Sequence, residues 1–164
     1  TLQPDYVVRI TGDCPFIDPE IVDAAIALCV ENSVGYVVTD GRHPDGLDVE
    51  VCEFSLLSRA HREAVDRYDR EHVLPYVRLL AGNRTAQLSF TSDLSHVRLT
   101  LDEPSDLEVL IGVQAHFGND RFTAMDIANL VESAPDLFKA NAHLIRTRER
   151  RCRPEKSCGG GPRR

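Results

Sequence analysis

No stretch of this 164-residue chain approaches the ~18–20 unbroken apolar residues that a membrane span requires, so no membrane partner is expected. No basic-apolar leader opens it, although its first residue is Thr1 and not methionine, which leaves upstream sequence open. Cysteine is sparse and irregular. Cys14, Cys29, Cys52, Cys152 and Cys158 form no Cys-x-x-Cys pair and no Cys/His set with zinc spacing. Scattered cysteines in odd number point to reduced thiols and a cytoplasmic location. Cys14 as a nucleophile has no histidine close in sequence to serve as base, and a small packed side chain is the alternative. Basic charge is scarce in the body: residues 1–145 hold eleven Lys/Arg against twenty-four Asp/Glu, whereas residues 146–164 hold eight against two. An acidic body argues against nucleic acid as the main partner and suits metal ions held by carboxylates.

What is present fits one soluble globular domain: 42% apolar and 27% charged residues. Tyr6–Ile10 is short, β-branched and apolar, as a buried strand is. Asp18 reads as a helix N-cap with Pro19 at the first helical position, and residues 19–32 place Ile21, Ala24, Ala25, Leu28 and Cys29 on one face. Gly35–Val38 reads as the next strand, giving a parallel βαβ unit. The segment Asp40–Gly46 is dense in turn formers. Leu47–Val51 then alternates strictly, with Asp48 and Glu50 on one face. Helices are predicted from Ser55 to about Asp66, and again from Asp69 with a kink or break at Pro75. Further strands are predicted at Ala86–Phe90 and Val97–Leu101. Helices are expected from Ser105, over Ala124–Ser133 behind a Thr123 cap, and from Pro135 to about Arg146. Residues 1–145 thus read as one domain and residues 146–164 as a disordered basic tail.

Two strands end in a carboxylate followed by an acidic-proline helix start: Gly12-Asp13 before Asp18-Pro19, and Leu101-Asp102-Glu103-Pro104. Ligands of open parallel sheets bind beyond the carboxyl ends of the strands, so Asp13 and Asp102 are expected on one edge. Two such carboxylates suit Mg²⁺, whose shell is commonly completed by waters and substrate phosphates. A helix-cap role is the alternative for Asp102. His43, Asp45, Asp48 and Glu50 lie on a polar loop and strand face suited to sugar hydroxyls, or form a solvent-facing stripe. Arg70, Glu71 and His72 read as a solvated helix face with local charge pairs. Arg98, opposite Leu99 on its strand, is a candidate for a phosphate or a sugar carboxylate, with a surface arginine as the alternative.

The segments VVRITGDCPFIDPEIVDAAI, HPDGLDVEVCEF, DREHVLPYVR and SHVRLTLDEPSDLEVL, in that order, closely resemble the cytidylyltransferases of the spore coat polysaccharide biosynthesis type, relatives of the CMP-Kdo and CMP-sialic acid synthetases. The resemblance covers residues 4 to about 117. It implies a nucleotide-diphospho-sugar transferase-like α/β sandwich with a mostly parallel sheet, and Mg²⁺-dependent transfer of CMP from CTP to an acidic sugar with release of pyrophosphate. It also implies that Asp13 and Asp102 are the metal-binding and catalytic carboxylates, Asp102 within the family's Asp-x-Pro-x-Asp-Leu segment, and it adds a binding or homodimer role as the alternative for Arg70, Glu71 and His72. The family's nucleotide loop has no match in this chain. The chain is therefore expected to correspond to the C-terminal portion of such an enzyme and to be inactive alone. A metal-dependent glycosyltransferase of related fold and a non-catalytic dimerising or ligand-binding fragment are the alternatives.

Overall fold

The computed structural model describes residues 3–119 and 121–144. Its sheet has four strands, β1 (Tyr6–Arg9), β2 (Tyr36–Thr39), β3 (Glu50–Glu53) and β4 (Thr85–Leu88), in the order β1-β3-β2-β4. β3 runs antiparallel to both neighbours, with Val51 opposite Val8 and Val37, while β2 and β4 are parallel. Three strands therefore share one direction, but two of the three pairings are antiparallel because β3 runs against both neighbours, so the sheet is mixed and not mostly parallel as expected. The predicted βαβ unit is modified: β1 and β2 run the same way, but β3 is inserted between them.

Helices cover both faces. α1 (Pro19–Glu31), α5 (Pro104–Phe117) and α6 (Ala124–Ser133) pack against one face. The core there joins Val37 and Val51 of the sheet to Ala25, Cys29, Val109, Val113, Ile127 and Leu130 of the helices. α2 (Phe54–Glu63) and α4 (Leu74–Ala81) cover the other face, where Tyr36, Val38 and Cys52 meet Leu56, Ala60 and Val77. Full burial contributes about 1.5–3 kcal/mol for each Val, Leu or Ile side chain, and β-branched residues at the strand centres are stiff and fit the pleat. Both faces of β2 are buried, which explains its unbroken apolar run.

Several boundaries differ from the sequence reading. β3 begins at Glu50 and not at Leu47, yet the alternation holds: Leu47, Val49 and Val51 are fully buried. The helix expected from Asp69 is instead two helices, α3 (Arg67–His72) capped by Asp66, and α4. The break falls at Val73, which has φ 63°. Pro75 lies in the first turn of α4, where its missing N–H costs nothing; in one continuous helix its ring would clash with the carbonyl four residues back. Residues 135–138 form a 3₁₀ turn in place of the expected long helix. Its predicted end, like the tail from residue 146, lies outside the described residues.

The predicted strand Val97–Leu101 is an extended segment and not a ladder. A single parallel bridge joins Arg98 to Asp45. Val97 and Leu99 are buried as the alternation requires, but the segment pairs with a loop. Gly46 makes that pairing possible. It adopts φ 101°, and an added Cβ would lie 2.6 Å from the Leu99 carbonyl carbon, a position that only glycine fills without strain.

Candidate active site

The turn after β1 holds Asp13, and a backbone bond from Leu101 N to Asp13 O (2.9 Å) joins it to the segment that ends in Asp102. The two carboxylate-bearing segments are therefore neighbours, as expected, although both lie in irregular backbone beyond the sheet. α1 and α6 start beside them on a shared cap. Asp18 is 3% exposed, accepts Glu20 N at 2.8 Å through Oδ1, and accepts Ala124 N at 2.7 Å through Oδ2. One carboxylate thus satisfies backbone donors at two helix N-termini.

Asp13 is half-buried. Among the described residues its carboxylate meets only the Cys14 thiol, at 3.8 Å from Oδ1. Cys14 also bonds Thr11 Oγ1 at 3.0 Å. Its thiol is pushed up to about 11, chiefly by burial against the lowering effect of Thr11, and further by the charges of Asp13, Asp48 and Asp45. Those three carboxylates therefore share one locality. Asp48 accepts from Thr39 Oγ1 at 3.3 Å.

Arg98 organises the other half of the site. Its Nε and Nη2 fork onto Asp106 Oδ1 and Oδ2, each at 2.9 Å; Nη1 reaches Asp45 Oδ2 at 3.0 Å, and Nη2 reaches Asp102 Oδ2 at 2.6 Å. Asp106 is fully buried and also accepts from Asn141 Nδ2, Asp102 N and Glu103 N. Burial pushes its carboxyl up, but Arg98, Asn141 and the two backbone N–H groups outweigh that and hold it well below the usual carboxylate range. The same carboxylates hold Arg98 firmly in its charged form. Asp102, in contrast, is half-exposed at its side chain and is bonded through Oδ2 alone among the described residues. Thr100, between Arg98 and Asp102 in sequence, has a buried hydroxyl with no partner among the described residues.

The structure thus brings Asp13, Asp45, Asp48, Arg98 and Asp102 to one acidic edge. It places the remaining candidates elsewhere. His43 is 1% exposed, with Nδ1 3.1 Å from Asp40 Oδ1 and its ring 5.1 Å from that of Phe90. It braces the loop from inside and does not line a polar surface. Glu50 is held in the sheet by Arg9 Nη1 at 2.7 Å and by the Tyr36 hydroxyl. Arg70, Glu71 and His72 lie on α3. Arg70 donates to Ala64 O at 2.8 Å, Glu71 faces Arg67, and His72 lies against Tyr68 with ring centroids 4.4 Å apart. Arg70 also lines a cavity of about 570 Å³, mostly apolar, between α2 and the α3–α4 junction. Asp106 and Asn141 were not among the sequence candidates. Asp106 is visible in hindsight as the third helical residue of a capping pattern with Glu103, whereas nothing local marks Asn141.

No three His, Cys, Asp or Glu side chains among the described residues form a metal-holding group. A closed protein cage is therefore not what these residues build. Two carboxylates with open acceptor oxygens on neighbouring segments do fit a hard cation that keeps waters and takes phosphate oxygens. No helix among the described residues is long and apolar enough to cross a membrane.

Residues 1–143 match the cytidylyltransferase family. The chain is 28% identical over 145 residues to an uncharacterized protein of Methanocaldococcus jannaschii, covering 85% of this chain and 58% of that protein. It is 27% identical over 140 residues to the spore coat polysaccharide biosynthesis protein SpsF of Bacillus subtilis, covering 82% and 58%. The solved structure of a cytidylyltransferase from Leptospira borgpetersenii superposes with TM-score 0.76 at 29% identity, covering 82% of this chain and 58% of that one. The chain spans 58% of the length of the curated relatives that it matches.

Proposed function

This chain belongs to the cytidylyltransferase family, and on that premise we propose that its acidic edge serves the transfer of CMP from CTP to an acidic sugar, with Asp13 and Asp102 holding Mg²⁺. The observation that carries the reading is the contact of the Asp13 and Leu101 backbones, which makes neighbours of the segments that bear two under-bonded carboxylates. The similarity to a spore coat polysaccharide biosynthesis protein supports a sugar acceptor.

In such a transfer a sugar hydroxyl attacks the α-phosphorus of CTP, a new P–O bond forms, and the bond to the pyrophosphate oxygen breaks. Bound Mg²⁺ supplies charge neutralisation on the phosphate oxygens. The residues of the chain position and fix charge: Asp13 and Asp102 present anionic oxygens, and the buried Asp106–Arg98 pair keeps the floor of the site rigid. Asp45 and Asp48 add negative potential, which favours the cation and opposes an anionic substrate that arrives without it. This accounts for a site without a Ser-His or Cys-His pair: Cys14 is held as a neutral thiol, and His43 is turned inward.

The test is pyrophosphate release by the natural protein, with CTP, ATP, GTP and UTP each offered with acidic sugars. Release with CTP, dependent on an acidic sugar and abolished by EDTA, is the expected result. Transfer from a nucleotide-sugar donor without pyrophosphate release would replace this reading with a glycosyltransferase.

A further inference from the structure

We propose that Arg98 is a positioning residue that fixes the Asp102 carboxylate and thereby sets the affinity of the acidic edge for a divalent cation. The inference rests on the reading of Asp13 and Asp102 as the cation-binding pair, and it assigns Arg98 a role other than substrate binding. A guanidinium has five N–H donors in one plane, and four of them are spent on Asp45, Asp102 and Asp106. Little is left for a phosphate or a sugar carboxylate. The plane itself is fixed from behind, because Asp106 is wholly buried and is gripped by Asn141 and by two backbone N–H groups. Asn141 also donates to the Arg98 carbonyl at 3.0 Å. The fork therefore cannot swing, and the one half-exposed carboxylate it touches, Asp102, is held by Oδ2 with Oδ1 left open.

The same guanidinium reaches the Asp40–Gly46 loop through Asp45. It thus separates three carboxylates that would otherwise repel one another, and it ties the loop to the start of α5. Partners that orient a metal ligand typically change metal affinity by about 10–100-fold when removed. Lysine at this position keeps the charge but not the fork, since its ammonium is a point charge on a flexible stem.

The experiment is Mn²⁺ titration, read by electron paramagnetic resonance, of the protein and of Arg98→Lys, Asn141→Ala, Asp13→Asn and Val113→Ala. The last removes apolar volume from the core without touching a polar group and controls for lost stability. Arg98→Lys is expected to raise the Mn²⁺ dissociation constant by about 10-fold or more, with Val113→Ala unchanged. In turnover, the Mg²⁺ requirement should rise by a similar factor, while the KM values for CTP and sugar at saturating Mg²⁺ stay the same. Should Arg98→Lys not fold, Asn141→Ala, which loosens Asp106 behind the fork, should weaken Mn²⁺ binding by a smaller factor. Unchanged Mn²⁺ affinity in the folded variants, or a raised KM for CTP or sugar at saturating metal, overturns the inference while leaving the cation pair intact. If the parent protein binds Mn²⁺ no better than Asp13→Asn does, the cation-pair reading fails and this inference fails with it.

Discussion

Asp106 and Asp102 are four residues apart and face opposite fates. Asp106 is wholly buried and saturated with donors, so it is structural, whereas Asp102 keeps an open oxygen. Because the folded-state pKa of Asp106 lies below its ordinary value of about 3.9, its stabilising contribution is fully present above that value and is lost as pH falls through the folded pKa. The Tm should therefore decline below about pH 4, and Asp106→Asn should flatten the decline while lowering the Tm at neutral pH. Asp106→Ala, which removes the bidentate partner of Arg98 and leaves it Asp45 and Asp102 alone at 12% side-chain exposure, is expected to cost about 3 kcal/mol in denaturant titrations. The thiols give a second prediction at this scale. Burial first, and nearby carboxylates after it, push Cys14 up to about 11. Burial with the Glu53 charge pushes Cys29 up to about 11, and burial with Cys29, Glu50 and Glu53 pushes Cys52 up to about 12. Iodoacetamide at pH 7.5 with peptide mapping should label these three only when the protein is unfolded. Rapid native labelling of Cys14 would revive its nucleophile reading.

At the scale of elements, the caps and the loop carry the site. Asp18→Ala removes a cap from α1 and from α6 together. It should destabilise by more than the roughly 1 kcal/mol of a single-cap change such as Thr123→Ala. Gly46→Ala should do more than lower the Tm. Its Cβ would drive into the Leu99 backbone, displace Asp45, and so weaken cation binding as well. What could be read from the sequence follows the same division. Helix starts announce themselves locally, and Asp18-Pro19 and Thr123 lie where the capping chemistry puts them. Alternation at Leu47–Val51 correctly separated buried from exposed positions, and at Val97–Leu101 it held through Leu99 but failed at the end, where Thr100 is buried and Leu101 exposed. It could not tell a ladder strand from an extended segment bridged to a loop, because that depends on the partner and not on the segment. The insertion of β3 between β1 and β2 is likewise a non-local outcome. The single-residue break at Val73 was hidden because the Leu74-Pro75 pair is compatible with either a kink or a new start.

For the molecule as a whole, the turn after β1, the Asp40–Gly46 loop and the Val97–Leu101 segment meet at one acidic edge, and this edge is what the cytidylyltransferase family membership gives meaning to. Asp13 and Asp102 were legible as a pair because the same strand-carboxylate-proline pattern occurs twice. Arg98 was legible as a candidate for a phosphate or a sugar carboxylate, or as a surface arginine, and not as the centre of a carboxylate network; that role needs Asp45, Asp106 and Asn141, three residues spread over most of the chain. The central claim is that Asp13 acts as a cation ligand and is not merely a turn residue. Asp13→Asn in the natural protein separates the two, since asparagine preserves volume and hydrogen bonding but removes the charge. Melting temperature and turnover are measured together across a range of Mg²⁺ and Mn²⁺. The account predicts an unchanged Tm with turnover lower by on the order of a hundredfold or more, partly restored by raised metal; normal turnover with a lowered Tm would contradict it.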